Sequence, residues 1–198
     1  MFVSRTKTPA PTQRGRRLPK NWKPVGTHAV VTSTLIALVL VTDVVESIAD
    51  IGGAAAVDDV VLWVNAGLFV LAAVAFIMWL WRARANAQLL VGPHGQRLTR
   101  EWVIGAWICP VVNLWFPYRV VVDVWRASAP DRGRLGDGLV AWWWLAFVVS
   151  WLFTRYITLV GIVDTVPLVL SCVLDVVSGV LALLVVRRIS DWQALARG

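Results

Sequence analysis

An all-α polytopic membrane protein is predicted by three observations: long uncharged apolar runs, a deficit of charge overall, and basic residues gathered between the runs. Of the 198 residues 58% are hydrophobic and 16% charged, against roughly 45–50% and about 25% in a soluble domain. The net charge of +7 sits beside the apolar runs. Anionic lipid headgroups are therefore the matching counter-charge, and no nucleic-acid partner is expected.

Residues 1–26 hold seven Lys or Arg and four Pro without apolar periodicity. Such a segment cannot bury enough surface to offset its ordering entropy, so a disordered basic cytoplasmic tail is predicted. The integral membrane helical domain follows over 27–190. Its first span, 28–49, carries no charge from His28 to Leu40. The long basic leader marks it as a retained signal-anchor rather than a cleaved signal. A short acidic loop with Asp50, Asp58 and Asp59 leads to the second span, 60–81, whose 22 residues exceed the roughly 20 needed to cross the hydrocarbon. Trp79 and Trp81 at its end read as interfacial aromatics. The helix continues through RARANAQLL to Gly92-Pro93, which stops it. Residues 101–127 are broken by Pro110 and Pro117. Spans 139–160 and 166–186 complete the domain, the former opening on Trp142-Trp143-Trp144 at a membrane interface. Residues 191–198 form a short cytoplasmic tail.

The broken segment sets the topology. If residues 101–127 cross the membrane, five spans result, with twelve Lys or Arg inside and seven outside. If the segment enters and returns as a re-entrant or interfacial hairpin, four spans result and only Arg155 is left on the outer half. The positive-inside rule selects four spans. The prolines agree, since each removes a backbone donor and clashes with the preceding turn. A helix of about nine residues rises about 14 Å, roughly half the hydrocarbon thickness. Asn113, between the two prolines, is placed to bond the freed backbone groups. Both termini are then cytoplasmic.

Ionisable groups inside a bilayer are costly and are functional candidates. Asp175 lies near the middle of its span, on one face with Ser171, Ser178 and Gly179, a small and polar face suited to close helix packing. Asp43, Glu46 and Arg155 fall at similar depth near the outer side, with Asn65 close by, and an ion pair among them is expected. At the inner side Arg119, Asp123 and Arg126 share one helical face and are expected to pair locally. With Arg82, Asn86 and Asn113 they are expected to line an inward-facing pocket for a lipid phosphate or another anion. Cys109 and Cys172 lie in apolar runs and read as fillers. His28 and His94 lack ligand-spaced partners, so no metal is expected. No cofactor is expected either, and no phosphate loop, zinc-ligand motif or nucleophile elbow points to an enzyme.

The run Trp81-Arg82-Ala83-Arg84-Ala85-Asn86, then Trp102, Gly105-Ala106-Trp107, the Pro110-Val111-Val112-Asn113-Leu114-Trp115-Phe116-Pro117-Tyr118 break and Val124-Trp125-Arg126-Ala127-Ser128 resemble an actinobacterial multi-pass membrane family. That family is known as a domain of unknown function, the DUF4328 domain. The resemblance covers roughly residues 60–190, with the specific motifs between 79 and 128. It implies a bacterial plasma-membrane location and no particular activity. Two functional classes stand: a non-enzymatic module that binds lipid or scaffolds a membrane-protein partner or second copy, and a small-solute, ion or proton transporter or channel subunit using Asp175.

Overall fold

The computed structural model describes residues 21–52, 59–92, 97–108, 112–130, 136–162 and 164–196. The greater part of the basic tail, His94, Cys109 and Pro110 therefore lie outside the described residues. The described residues are all-helical: α1 (Gly26–Ile51), α2 (Asp59–Val91), α3 (Trp102–Ile108), a 3-10 turn (Val112–Leu114), α4 (Phe116–Ser128), α5 (Gly138–Val160) and α6 (Thr165–Leu195). Four of them, α1, α2, α5 and α6, are long and apolar enough to cross a membrane.

The segment predicted as a broken hairpin does break. Pro117 falls in the first turn of α4, where its missing N–H has no helical partner to lose and its fixed φ suits helix entry. It starts a helix rather than interrupting one. Asn113 is half-buried within the 3-10 turn. The backbone carbonyl of Leu114 is taken by the indole Nε1 of Trp144, at 2.8 Å. A tryptophan of the next span thus performs a role the sequence suggests for Asn113.

The spans pack in series, α2 on α1, α1 on α6 and α6 on α5. The hairpin stands between the two ends of this series, with α4 against α2, α5 and α6 and α3 against α2. Its seat is aromatic. Phe76 of α2 meets Trp107 of α3 at 6.0 Å and Trp143 of α5 at 5.7 Å, and Trp107 meets Trp144 edge-on at 6.0 Å. Only Trp142 of the tryptophan triplet is exposed; Trp143 and Trp144 are buried under the hairpin. Trp79 is likewise fully buried and donates to Ser190 Oγ at 3.0 Å. These tryptophans are internal packing residues, because the hairpin covers the helix ends that the sequence reading leaves open.

Helix length explains where the core sits. At about 1.5 Å per residue α2 is about 50 Å long and α6 about 46 Å, both longer than the ~30 Å of hydrocarbon. Their C-terminal turns project together and join α4. The fully buried residues Trp79, Leu80, Ala83, Ala87, Val120, Val121, Val124, Val185, Val186 and Ile189 gather there. Along the spans, side chains such as Trp63, Leu159 and Val166 remain exposed, as suits contact with lipid. There, packing and hydrogen bonds rather than water exclusion hold helices together. Gly179 is one such contact: a Cβ at that position would come within 2.5 Å of the Leu40 side chain on α1. The α5–α6 turn closes on Gly161, whose φ of +72° favours glycine. The Ile162 N–H bonds Ile157 O at 3.0 Å and the Gly161 N–H bonds Thr158 O at 3.3 Å, the Schellman pattern.

Candidate functional site

Two polar assemblies lie at different distances from the hairpin. The one beside the hairpin is built around Asn86, which is fully buried one turn beyond Arg82 on α2. Asn86 Oδ1 accepts the backbone N–H of Lys23 at 2.9 Å. Its Nδ2 donates to Lys23 O at 2.6 Å and to Gln193 Oε1 at 3.0 Å. Gln193, also buried, donates to Ala83 O and to Ser128 Oγ, each at 2.9 Å. Both amides use both donor hydrogens, so the network is satisfied without water. It ties the segment before α1 to α2, α4 and α6. Asn86 is therefore a structural clamp and not a pocket wall.

Asp123 and Arg126 also find partners other than each other. Asp123 is buried and faces α2, where Arg84 NH1 stands 3.5 Å away with a side chain 2% exposed. The Arg97 backbone N–H donates to the same carboxylate at 3.0 Å, and Arg84 donates to Leu98 O. A desolvated carboxylate needs a cation at the same depth, and Arg84 reaches it from inside. Arg126 turns outward instead and bonds Asp137 Oδ2 at 2.7 Å, joined there by Tyr118 Oη at 3.2 Å. Arg119 is exposed, its guanidinium 5.9 Å from the Phe116 ring. Burial pushes the Asp137 carboxyl up, but its own backbone N–H, Arg126 and Tyr118 outweigh this and hold it below the usual range. Burial, then the Asp137 carboxylate, push the Tyr118 phenol up. The six inner residues singled out in the sequence thus do not line one pocket. They divide among a clamp (Asn86), a buried ion pair (Asp123), a surface cluster (Arg126), the 3-10 turn (Asn113), an exposed cation (Arg119) and a groove (Arg82).

The groove is where the inner-end chemistry is open. Because Asn86 holds Lys23 by its backbone on both sides, the segment 21–24 crosses the face of α2 as a strap. Beside the strap, Trp22, Lys23, Ile77, Met78, Trp81 and Arg82, with Ile104 of α3, border an open groove of about 560 Å³. Asn21, Lys23, Ala85, Gln88, Leu89 and Arg100 border a second open groove of about 420 Å³. Lys23 is common to both. The Arg100 guanidinium lies 4.0 Å over the Trp81 ring, a cation–π contact that separates the two. Lys23, Arg84, Arg100 and Gln193 escape a reading based on charge spacing. Gln193 had a signal: Val185, Val186, Ile189 and Trp192 follow helical spacing through what reads as a tail.

The other assembly is two interhelical sets farther from the hairpin, one between α1 and α2 and one between α5 and α6. Asn65 of α2 donates to Asp43 Oδ1 at 2.9 Å and Glu46 Oε2 at 2.7 Å, and accepts from Thr42 Oγ1 at 3.2 Å. Ser150 of α5 bonds Asp175 of α6, and Thr154 and Ser171 are 2.8 Å apart. The ion pair expected for Arg155 is not formed: Arg155 is exposed, and the carboxylates take amide and hydroxyl donors. Thr154 faces α6, and the next residue lies about 100° round the helix. Among the described residues no group of His, Cys, Asp or Glu has the arrangement to hold a metal ion.

A family model described as a domain of unknown function, DUF4328, matches residues 42–191. The chain belongs to the DUF4328 family. No curated protein and no solved structure matches it. The DUF4328 match takes in the outer polar belt, the hairpin and α2 with Arg82 and Asn86. It begins after the strap, so Trp22 and Lys23, which complete the groove, stand outside the matched residues.

Proposed function

We propose that this DUF4328 protein is a non-enzymatic module of the bacterial plasma membrane that holds an anionic phospholipid headgroup at its cytoplasmic end. The observation that carries this reading is the groove beside the strap. Lys23 and Arg82 rim it without a carboxylate partner among the described residues. Ile77, Met78 and Ile104 supply an apolar floor, and Trp22 and Trp81 supply amphipathic rings. Cation, aromatic and aliphatic groups in that order suit a phosphate, a glycerol backbone and the start of an acyl chain. The cytoplasmic placement is supported by the distribution of positive charge, and by the clustering of the α1 N-terminus, the hairpin and the α6 C-terminus in one network.

Nanodiscs of defined composition test it. The chain should retain phosphatidylglycerol over phosphatidylcholine, and Arg82→Gln should reduce that preference about fivefold, the weight of about 1 kcal/mol per cation near the surface. Equal retention of both lipids by the unaltered chain would refute the reading. The transporter alternative draws on the outer belt, to which every span contributes. Against it, the buried residues of α6 between Ser178 and Ser190 are Ala182, Val185, Val186 and Ile189, an apolar seal on the inner half.

A further inference from the structure

The two grooves lie along one stripe of α2. Ile77, Met78, Trp81, Arg82, Ala85, Gln88 and Leu89 recur at helical spacing, and the strap crosses them at Lys23. The grooves differ in character. The first has one α2 cation, Arg82, over an apolar floor. The second has the cation Arg100 and two amides, Asn21 and Gln88, beside Ala85 and Leu89, and less apolar surface than the first. The Arg100 Nε is buried and has no hydrogen-bond partner, and the rest of the guanidinium, over the Trp81 ring, lines the second groove. One phosphate would occupy the first groove and leave Arg100, Asn21 and Gln88 unanswered.

We propose that the paired grooves take a lipid with two phosphodiesters joined through a glycerol, a cardiolipin-class lipid, with one phosphate beside Arg82 and the other beside Arg100. Lys23 stands between them and serves both. The proposal rests on the lipid-binding reading above and specifies its ligand. Arg82 and Gln88, which line the first and second grooves, are six residues apart on α2, about 9 Å of helix rise and about 120° of rotation. That is wider than two phosphates sharing a bridging oxygen and within reach of two phosphates on the ends of a three-carbon linker. Three cations against two phosphates also balance better than three against one. Acyl chains would leave over Ile77, Met78 and Ile104, on the side where the apolar surface of α2 continues.

The test is lipid retention by the purified full chain in native mass spectrometry, with cardiolipin, phosphatidylglycerol and phosphatidylcholine as probes at matched phosphate. Cardiolipin should be held about fivefold or more above phosphatidylglycerol, by the weight of one further cation. Arg100→Gln should remove that excess, so that the variant holds cardiolipin no better than phosphatidylglycerol. Gln88→Glu, an exposed-face change that does not disturb the Arg100–Trp81 stack, should do the same and serves if Arg100→Gln misfolds. Arg82→Gln should weaken both lipids. Equal retention of cardiolipin and phosphatidylglycerol, with both above phosphatidylcholine, would overturn the two-phosphate proposal and leave the anionic-lipid reading standing. Equal retention of all three would overturn both.

Discussion

Asn86 shows how one amide can organise the hairpin end of a membrane protein. Its oxygen and both amide hydrogens are used on Lys23 and Gln193. Asn86→Leu would leave a backbone carbonyl, a backbone N–H and the Gln193 oxygen without partners. The Gln193 oxygen is buried whereas Lys23 is exposed; a buried unsatisfied group costs about 1–3 kcal/mol, so a loss of about 1–3 kcal/mol is expected in denaturant unfolding in detergent. A loss below about 0.5 kcal/mol would mean the clamp is solvated. The Asp137 cluster predicts a pH signature. The Asp137 carboxyl is held below its usual range, so its contribution is complete above the ordinary carboxylate pKa of about 3.9 and is lost as pH falls through the depressed value. The Tyr118 phenol is raised, so its contribution is complete below the ordinary pKa of about 10 and is lost as pH rises through the raised value. In pH-dependent thermal melts, Asp137→Asn should flatten the acid limb and reduce the alkaline one, where the burial of Tyr118 remains. Unchanged limbs would remove the cluster from the account.

At the scale of elements, the hairpin and the spans are held by different forces. The hairpin rests on aromatic contacts and on the Trp144–Leu114 hydrogen bond. Trp144→Phe keeps most of the ring and removes the donor, and should lower stability by about 1–2 kcal/mol. The middles of α1 and α6 rest on close approach. Gly179→Leu places bulk where even a Cβ meets Leu40, and overpacking of this kind costs about 1–3 kcal/mol. A shift of the α1–α6 crosslinking pattern would accompany it. If Gly179→Leu melts like the unaltered chain, the helices are not closely apposed there. The spans and the break were legible in the sequence because length, hydropathy and proline act locally. The inner site was legible only at Arg82. Spacing along α4 placed Arg119, Asp123 and Arg126 on one face, but Asp123 was drawn inward by Arg84, a cation on another helix. The strap was illegible because a backbone held by an asparagine leaves no pattern in its own side chains.

For the whole molecule, the architecture is a series of four spanning helices closed at one end by a hairpin. The projecting ends of α2 and α6 place a water-driven core against α4, while the spans stay thinly packed and lipid-facing. The proposed cytoplasmic placement of the hairpin is tested at its return loop. In a chain whose native cysteines are replaced, Gly136→Cys should react with an impermeant thiol reagent only after the cells are opened. Reaction in intact cells would place the hairpin's return loop outside and restore the five-span arrangement. The lipid groove is the central claim, and cross-linking in living cells reaches it most directly. A photoreactive side chain at Ile104, in the groove wall, is compared with one at Val30, an exposed α1 position. Adducts at position 104 should be enriched in anionic phospholipid over those at position 30. Adducts of the same lipid composition at both positions would contradict the account.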